Sequence, residues 1–413
     1  MIHFDKFTLD NGLTVIVHQD KSTPIVVMDI LYRVGARDEH PDKTGFAHLF
    51  EHLMFGGSEN IPSYDAPLEK AGGENNAFTN SDVTNYYLTI PRENMETAFW
   101  LESDRMLNLA FSDKSLEVQR QVVVEEFKQS YLNQPYGDVW LLLKPLAYTT
   151  HPYQWNTIGK EIAHIENATM DDVKDFYGRF YNPNNAIMVL GGNIETDEAN
   201  ELTAKWFGSI PAGPVLERKL HVEPRQTAPR RQSVERDVPA HGIYLAFHMC
   251  HRLSADYQAT DIISDILSGG TSGRLYRKWV KEKALFTELD AYLTGDLDNG
   301  LFIFSGKLSR GIDFEAAEEA LWGEMELLKN VLVSHEELEK VKNKMESTMV
   351  FGEVSLLNKA TNLALFENLS SAGDINHEVE KYRSVTPEQI QRIAREIFTA
   401  ENSNTLIYKA KHL

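Results

Sequence analysis

Alternation of apolar and polar residues opens the chain. The run FTLDNGLTVIVHQD, residues 7–20, carries it on both sides of Asn11-Gly12, a dipeptide suited to a tight turn, and predicts a β-hairpin. The same two-residue period predicts strands in TPIVVMDILYRV (23–34), VTNYYLTI (83–90), GIYLAFHM (242–249) and GLFIFSGKL (300–308). A helical period predicts amphipathic helices in ENMETAFWLESDRML (93–107) and FEAAEEALWGEMELLKNVL (314–332). Each half of the chain therefore reads as mixed α+β.

The halves echo one another. Residues 168–192, ATMDDVKDFYGRFYNPNNAIMVLGG, and residues 385–410, VTPEQIQRIAREIFTAENSNTLIYKA, both read as a capped helix feeding a strand. Aligned without gaps, Thr169 meets Thr386, Val173 meets Ile390, Phe180 meets Ile397, Asn185 meets Asn402 and Val189 meets Leu406. Such spacing suggests a duplicated α+β unit. Between the halves, the proline-rich and charged stretch from Pro211 to Pro239 lacks helical period. The expected organisation is a first domain over 1–215, a linker over 216–238 and a second, homologous domain over 239–413.

Composition narrows the class. The chain has 413 residues, 42% of them hydrophobic, and 61 acidic against 41 basic side chains give a formal charge of -20. That surface repels phosphate backbones, so nucleic acid is excluded as a partner; the charge serves either solubility or a preference for basic peptides. No apolar run approaches the roughly 18 residues that span a bilayer, so no membrane partner is expected. Cys250 is the single cysteine, which rules out an internal disulfide. The N-terminus lacks the basic and apolar regions of a signal peptide, so the expected location is cytoplasmic, or periplasmic if a signal has been removed.

The candidate chemistry lies in TGFAHLFEHLMFGG, residues 44–57. Thr44 is a plausible helix N-cap, Phe46, Leu49, Phe50 and Leu53 form an apolar stripe, and Gly56-Gly57 stops the helix. At about 100° per residue, His48 and His52 lie about 40° apart on one face, with Glu51 about 60° to the other side of His48. A histidine pair at this spacing can reach one zinc ion, with the glutamate placed to take a proton from water. Taken alone, the same residues could equally be two helix histidines beside a glutamate. In AFHMCHR, by contrast, strand alternation splits His248 and Cys250 from His251, which reads as structural.

The H-x-x-E-H order together with FTLDNGLTVIV, GGENNAFTNSDVTNYY, QRQVVVEEFKQSYLNQPYG, YNPNNAIMVLGG and LSGGTSGRLY resembles the pitrilysin-type (M16, inverzincin) zinc metallopeptidases. It resembles the small bacterial members and those like the mitochondrial processing peptidase β subunit. The resemblance runs along most of the chain. It implies two homologous α/β units with antiparallel-rich mixed sheets covered by helices, half of a peptidase clamshell. It also implies Zn2+ as cofactor, with His48, His52 and Glu126 as ligands and Glu51 as the base. Helix geometry supports Glu126 over Glu125, which falls opposite the Leu116, Val123 and Phe127 stripe.

The implied activity is zinc-dependent endopeptidase hydrolysis of unfolded peptides in an enclosed chamber. The alternative is a non-catalytic scaffold subunit of a larger complex with the same fold. Asn76, Ala77 and Phe78 fall on the edge strand to which the family adds an extended substrate. The chain departs from the family pattern in two places. Gln119 stands where a second glutamate is common, and Val280 and Thr287 occupy the places of an arginine and tyrosine pair. Half a clamshell lacking that pair implies a homologous second subunit, as a heterodimer or a homodimer.

Overall fold

The computed structural model describes residues 1–412. Two compact units divide the chain, each assembled from three segments: Met1–Gln129, Trp155–Leu220 and Val350–His377 in the first, and Ser130–Gln154, His221–Met349 and the residues from Glu378 onward in the second.

In the first unit, β1 (Asp5–Thr8), β2 (Thr14–Gln19), β3 (Ile25–Tyr32), β4 (Glu74–Thr79), β5 (Thr84–Pro91) and β6 (Ala186–Gly192) form a sheet in the order β1-β2-β6-β3-β5-β4. In the second, β7 (Arg230–Arg236), β8 (Gly242–His248), β9 (Phe286–Leu293), β10 (Leu301–Leu308) and β11 (Ser403–Ala410) follow the order β7-β11-β8-β10-β9. In both, one strand is parallel to one neighbour and antiparallel to the other: β6 to β2 and β3, β11 to β7 and β8. Apart from the added β1, the two sheets correspond strand for strand. Strand β7 falls inside the stretch expected to be linker. Its side chains, RRQSVER, are mostly charged because it is an edge strand held by backbone pairing with β11.

The helices in chain order are α1 (Phe46–Leu53), α2 (Asp65–Lys70), α3 (Glu96–Leu107), α4 (Asp113–Phe127), α5 (Val139–Ala147), α6 (Ile162–Glu166), α7 (Met170–Phe180), α8 (Thr196–Phe207), α9 (Tyr257–Ser268), α10 (Phe314–Asn330), α11 (His335–Gly352), α12 (Leu356–Leu369), α13 (Glu378–Ser384) and α14 (Pro387–Ile397). The sequence echo is visible in their caps. Thr169 and Thr386 each close a capping box, with Asp172 and Gln389 respectively. Asn185 and Asn402 each donate to the carbonyl at the helix end, Phe180 and Ile397, and to a carbonyl at the end of the neighbouring strand, Arg33 and His248. Two helices are exchanged between the halves: α12 covers β6, β3 and β2 of the first unit, and α5 covers β11, β8 and β7 of the second.

Two buried polar groups shape the first unit. Asp29, on β3, is fully buried and its Oδ2 accepts from Asn85 Nδ2 at 3.0 Å and from Thr361 Oγ1 of α12 at 2.7 Å. Burial pushes its carboxyl up to about 6 against the pull of those two bonds. Arg105, on α3, pairs with Glu102 through Nε and Nη2 at 2.8 and 2.7 Å, both side chains almost wholly buried. Its guanidinium lies 4.5 Å from the ring centres of Tyr64 and Tyr86 and 5.5 Å from that of Phe55, just beyond the end of α1.

Because folding raises the Asp29 pKa, the stabilisation it contributes is present at acid pH and fades as pH climbs from about 4 through about 6. Asp29→Asn keeps the acceptor and removes the buried charge. At pH 7 it should unfold at higher denaturant than the parent, by up to about 3 kcal/mol, and the two curves should converge below about pH 4. Arg105→Ala should cost about 3–5 kcal/mol in the same assay, since it strands the Glu102 carboxylate without its partner, whereas a Glu102→Gln/Arg105→Met double variant should recover much of the loss.

Candidate active site

Helix α1 presents five buried side chains, Phe46, Ala47, Leu49, Phe50 and Leu53, and is seated through Phe50. Its ring stacks on Phe176 of α7 and on Tyr181, with centroids 5.2 and 5.0 Å apart, and Tyr86 of β5 donates its hydroxyl to the Phe50 carbonyl at 3.2 Å. Thr44 is not the cap expected of it. Gly45 takes the N-cap place in a left-handed conformation (φ 91°), where a Cβ would lie 2.7 Å from Ile165 Cδ1 and 2.9 Å from the Ile158 carbonyl. That turn sends Thr44 away from the helix, its Oγ1 2.8 Å from His164 Nδ1 and accepting from Lys160 N at 2.8 Å. The open N–H groups of the first turn go instead to Glu39, whose two carboxylate oxygens accept from Gly45 N and Ala47 N, each at 2.9 Å. Sequence reading missed Glu39, because nothing local marks an acid six residues upstream as a cap.

With its apolar side buried, α1 turns His48 and His52 the other way, their ring centres 4.9 Å apart and nearly perpendicular. Helix α4 is capped by Ser112, whose side chain accepts from Ser115 N, and packs through Leu116, Val123, Val124 and Phe127. Glu125 faces solvent and pairs with Lys128 at 2.7 Å. Glu126 faces α1: its Oε2 lies 3.7 Å from His48 Nε2 and 3.5 Å from His52 Nε2. Burial lowers the His48 pKa, opposed by the Glu126 charge, and the Glu126 carboxyl is held below its ordinary range first by its bond with His52.

Among the described residues, His48, His52 and Glu126 are the grouping able to hold a metal ion, one ligand atom from each lying within 4.8 Å of the others. Tetrahedral zinc with ligands at about 2.0–2.2 Å places its ligand atoms roughly 3.3–3.6 Å apart. The Glu126 spacings, at 3.5 and 3.7 Å, fit that geometry with little movement. Glu51 sits half-buried on α1 beside His52, and Gln119 half-buried on α4.

Strand β4 is the free edge of its sheet and packs beside α1. The register pairs Ala77 with Tyr86, which bonds α1, so Ala77 shares the α1 face. Phe78 pairs with Asn85 and faces the other way, packed against the cluster that includes Ala360 and Leu363 of α12. Asn76 folds back so that its Oδ1 accepts from Ala77 N at 2.8 Å. In the second unit, Val280 packs against the core and Thr287 lies on β9, its hydroxyl donating to the Lys307 carbonyl at 3.3 Å. His248 Nε2 lies 3.0 Å from the Ala147 carbonyl, a structural contact.

Comparison with known proteins places this geometry in a family. Residues 14–152, which contain both histidines and Glu126, match the family described as Insulinase (Peptidase family M16), and residues 167–345 match the Peptidase M16 inactive domain. The zinc protease PqqE of Helicobacter pylori is 29% identical, over 98% of this chain and 92% of its own. The crystal structure of a protease from Helicobacter pylori superposes with a TM-score of 0.93 at 28% identity, covering 99% of this chain and 100% of that one. The first half of the periplasmic protease PqqL from Escherichia coli shares the fold, with a TM-score of 0.78 at 18% identity over 98% of this chain and 92% of that one. The chain is a member of peptidase family M16, with the fold of one half of an M16 clamshell.

Proposed function

We propose that this chain is a zinc-dependent endopeptidase acting on unfolded peptides, with His48, His52 and Glu126 as the metal ligands and Glu51 as the general base. One observation carries the reading: two histidines of one rigid helix and a glutamate from a second helix meet at ligand spacing beside a free strand edge. Family membership and the zinc protease names of its relatives support it.

Zinc bound there would polarise a scissile carbonyl and bring the pKa of a bound water toward about 7. The protein supplies the rest. Strand β4 offers its outer backbone to an extended peptide, aligning the main chain while leaving side-chain choice to neighbouring pockets. Strand addition would free the Ala77 amide from the Asn76 side chain, and the Asn76 amide then becomes available to the substrate backbone. Phe78 contributes by holding β4 on the sheet. Glu51 takes the proton of the attacking water and returns it to the leaving amine. A homologous second subunit would close the half clamshell and exclude folded proteins, in keeping with the likeness to half of PqqL. Among the described residues no helix is long and apolar enough to cross a membrane.

Elemental analysis with a quenched unstructured peptide as substrate tests the reading. The wild type should carry one zinc per chain, and Glu126→Gln should lose it or bind it far more weakly. Glu51→Gln should keep the zinc while hydrolysis falls by a factor on the order of 10²–10⁴. Retained zinc with no hydrolysis, even after a homologous subunit is added, would favour the scaffold role. No zinc after supplementation would remove the peptidase reading altogether. On a sizing column the peptidase activity should elute with a dimer, and a fully active monomer would exclude the second subunit.

A further inference from the structure

We infer that Glu39 is a positioning residue that sets helix α1 against the substrate-side hairpin β4–β5, an inference that rests on the peptidase reading above. The Glu39 side chain makes one set of contacts, and the turn that carries it makes the other. Toward α1, its carboxylate takes the N–H groups of Gly45 and Ala47, the latter adjacent to His48. Toward the hairpin, the short turn that carries Glu39 is tied to the β4–β5 loop: Ala36 N donates to the Asn80 carbonyl at 3.1 Å, Arg37 N to the Ser81 carbonyl at 2.9 Å, and the Arg37 guanidinium pairs with Asp82 at 3.0 Å. The Trp155 indole donates to the Ala36 carbonyl at 2.8 Å and holds the turn from behind.

The consequence is geometric. Peptide hydrolysis needs the scissile carbonyl, delivered by the β4 edge, and the histidines, delivered by α1, at a fixed offset, and a misplacement of about 1 Å can cost about 100-fold in rate. Helix α1 and β4 are separated in sequence by the long stretch 54–73. Glu39 provides a shorter mechanical route between them, through six residues on one side and a backbone ladder on the other. When the carboxyl is ionised both of its oxygens act as acceptors, so a glutamine can serve only one of the two N–H groups and leaves the other facing an NH2.

The test is Glu39→Gln, with Arg37→Gln as a second variant that removes the side-chain pairing with Asp82 and leaves the Glu39 bonds to α1 in place. Each is measured above about pH 8, where the Glu39 carboxyl is ionised, for thermal midpoint, for zinc affinity by chelator competition, and for kcat and KM at saturating zinc. Burial pushes the Glu39 carboxyl up to about 8, so a neutral amide relieves a desolvation cost and the Glu39→Gln protein should stay folded at assay temperature. Positioning predicts that kcat falls about tenfold or more in both variants while KM moves less than twofold, and that zinc affinity falls about tenfold in Glu39→Gln alone. Wild-type kcat and zinc affinity in folded Glu39→Gln would overturn the inference, as would a loss of kcat that tracks the unfolded fraction. A wild type that takes up no zinc would overturn the peptidase reading instead.

Discussion

The arrangement of the site depends on how an eight-residue helix is held still. Helix α1 is too short to persist by its own propensity, since isolated helices below about 12–15 residues are marginal in water. Its position comes from the aromatic layer under Phe50, where Phe176 and Tyr181 stack and Tyr86 hydrogen-bonds the backbone, and from the buried acid that accepts its first N–H groups. Once that side is committed to the core, His48 and His52 have one direction left. The offset to Glu126 is then set by how α4 packs its own apolar stripe.

The scaffold occurs twice and the candidate site once. In the second unit, α9 lies between β8 and β9, where α1 and α2 lie between β3 and β4 in the first. Yet α9 buries nine of its twelve side chains and carries no histidine. The same strand order therefore carries the candidate metal-binding grouping in one copy and a packed layer in the other, in keeping with function residing in grafted side chains. The exchange of α5 and α12 binds the two repeats together along the chain, because each sheet needs a helix from the other half to cover one face.

Much of this was legible along the chain, and for identifiable reasons. Asn11-Gly12 did turn a hairpin, with Asp5 opposite Val17. The paired threonines 169 and 386 did cap their helices, because a capping box closes within four residues. The family register pointed to Glu126, and helical angle agreed by turning Glu125 toward solvent, where it pairs with Lys128. Other features stayed hidden. Strand β7 has no hydrophobic alternation to reveal it, and Phe78 packs against α12, a helix from the far half of the chain.

By itself the sequence determined what local periodicity and fixed spacing encode: the strands, the amphipathic helices, the repeat, and two histidines on one side of a helix with an acid between them. Tertiary structure alone decided which distant groups met them. Glu126 reaches the histidines from a separate helix, Glu39 replaces Thr44 at the helix start because Gly45 adopts a left-handed turn against Ile158 and Ile165, and α12 returns from the far half to cover the first sheet. Those contacts are set by burial and by the need of every buried N–H for a partner, demands that are satisfied in space and leave no period in the chain.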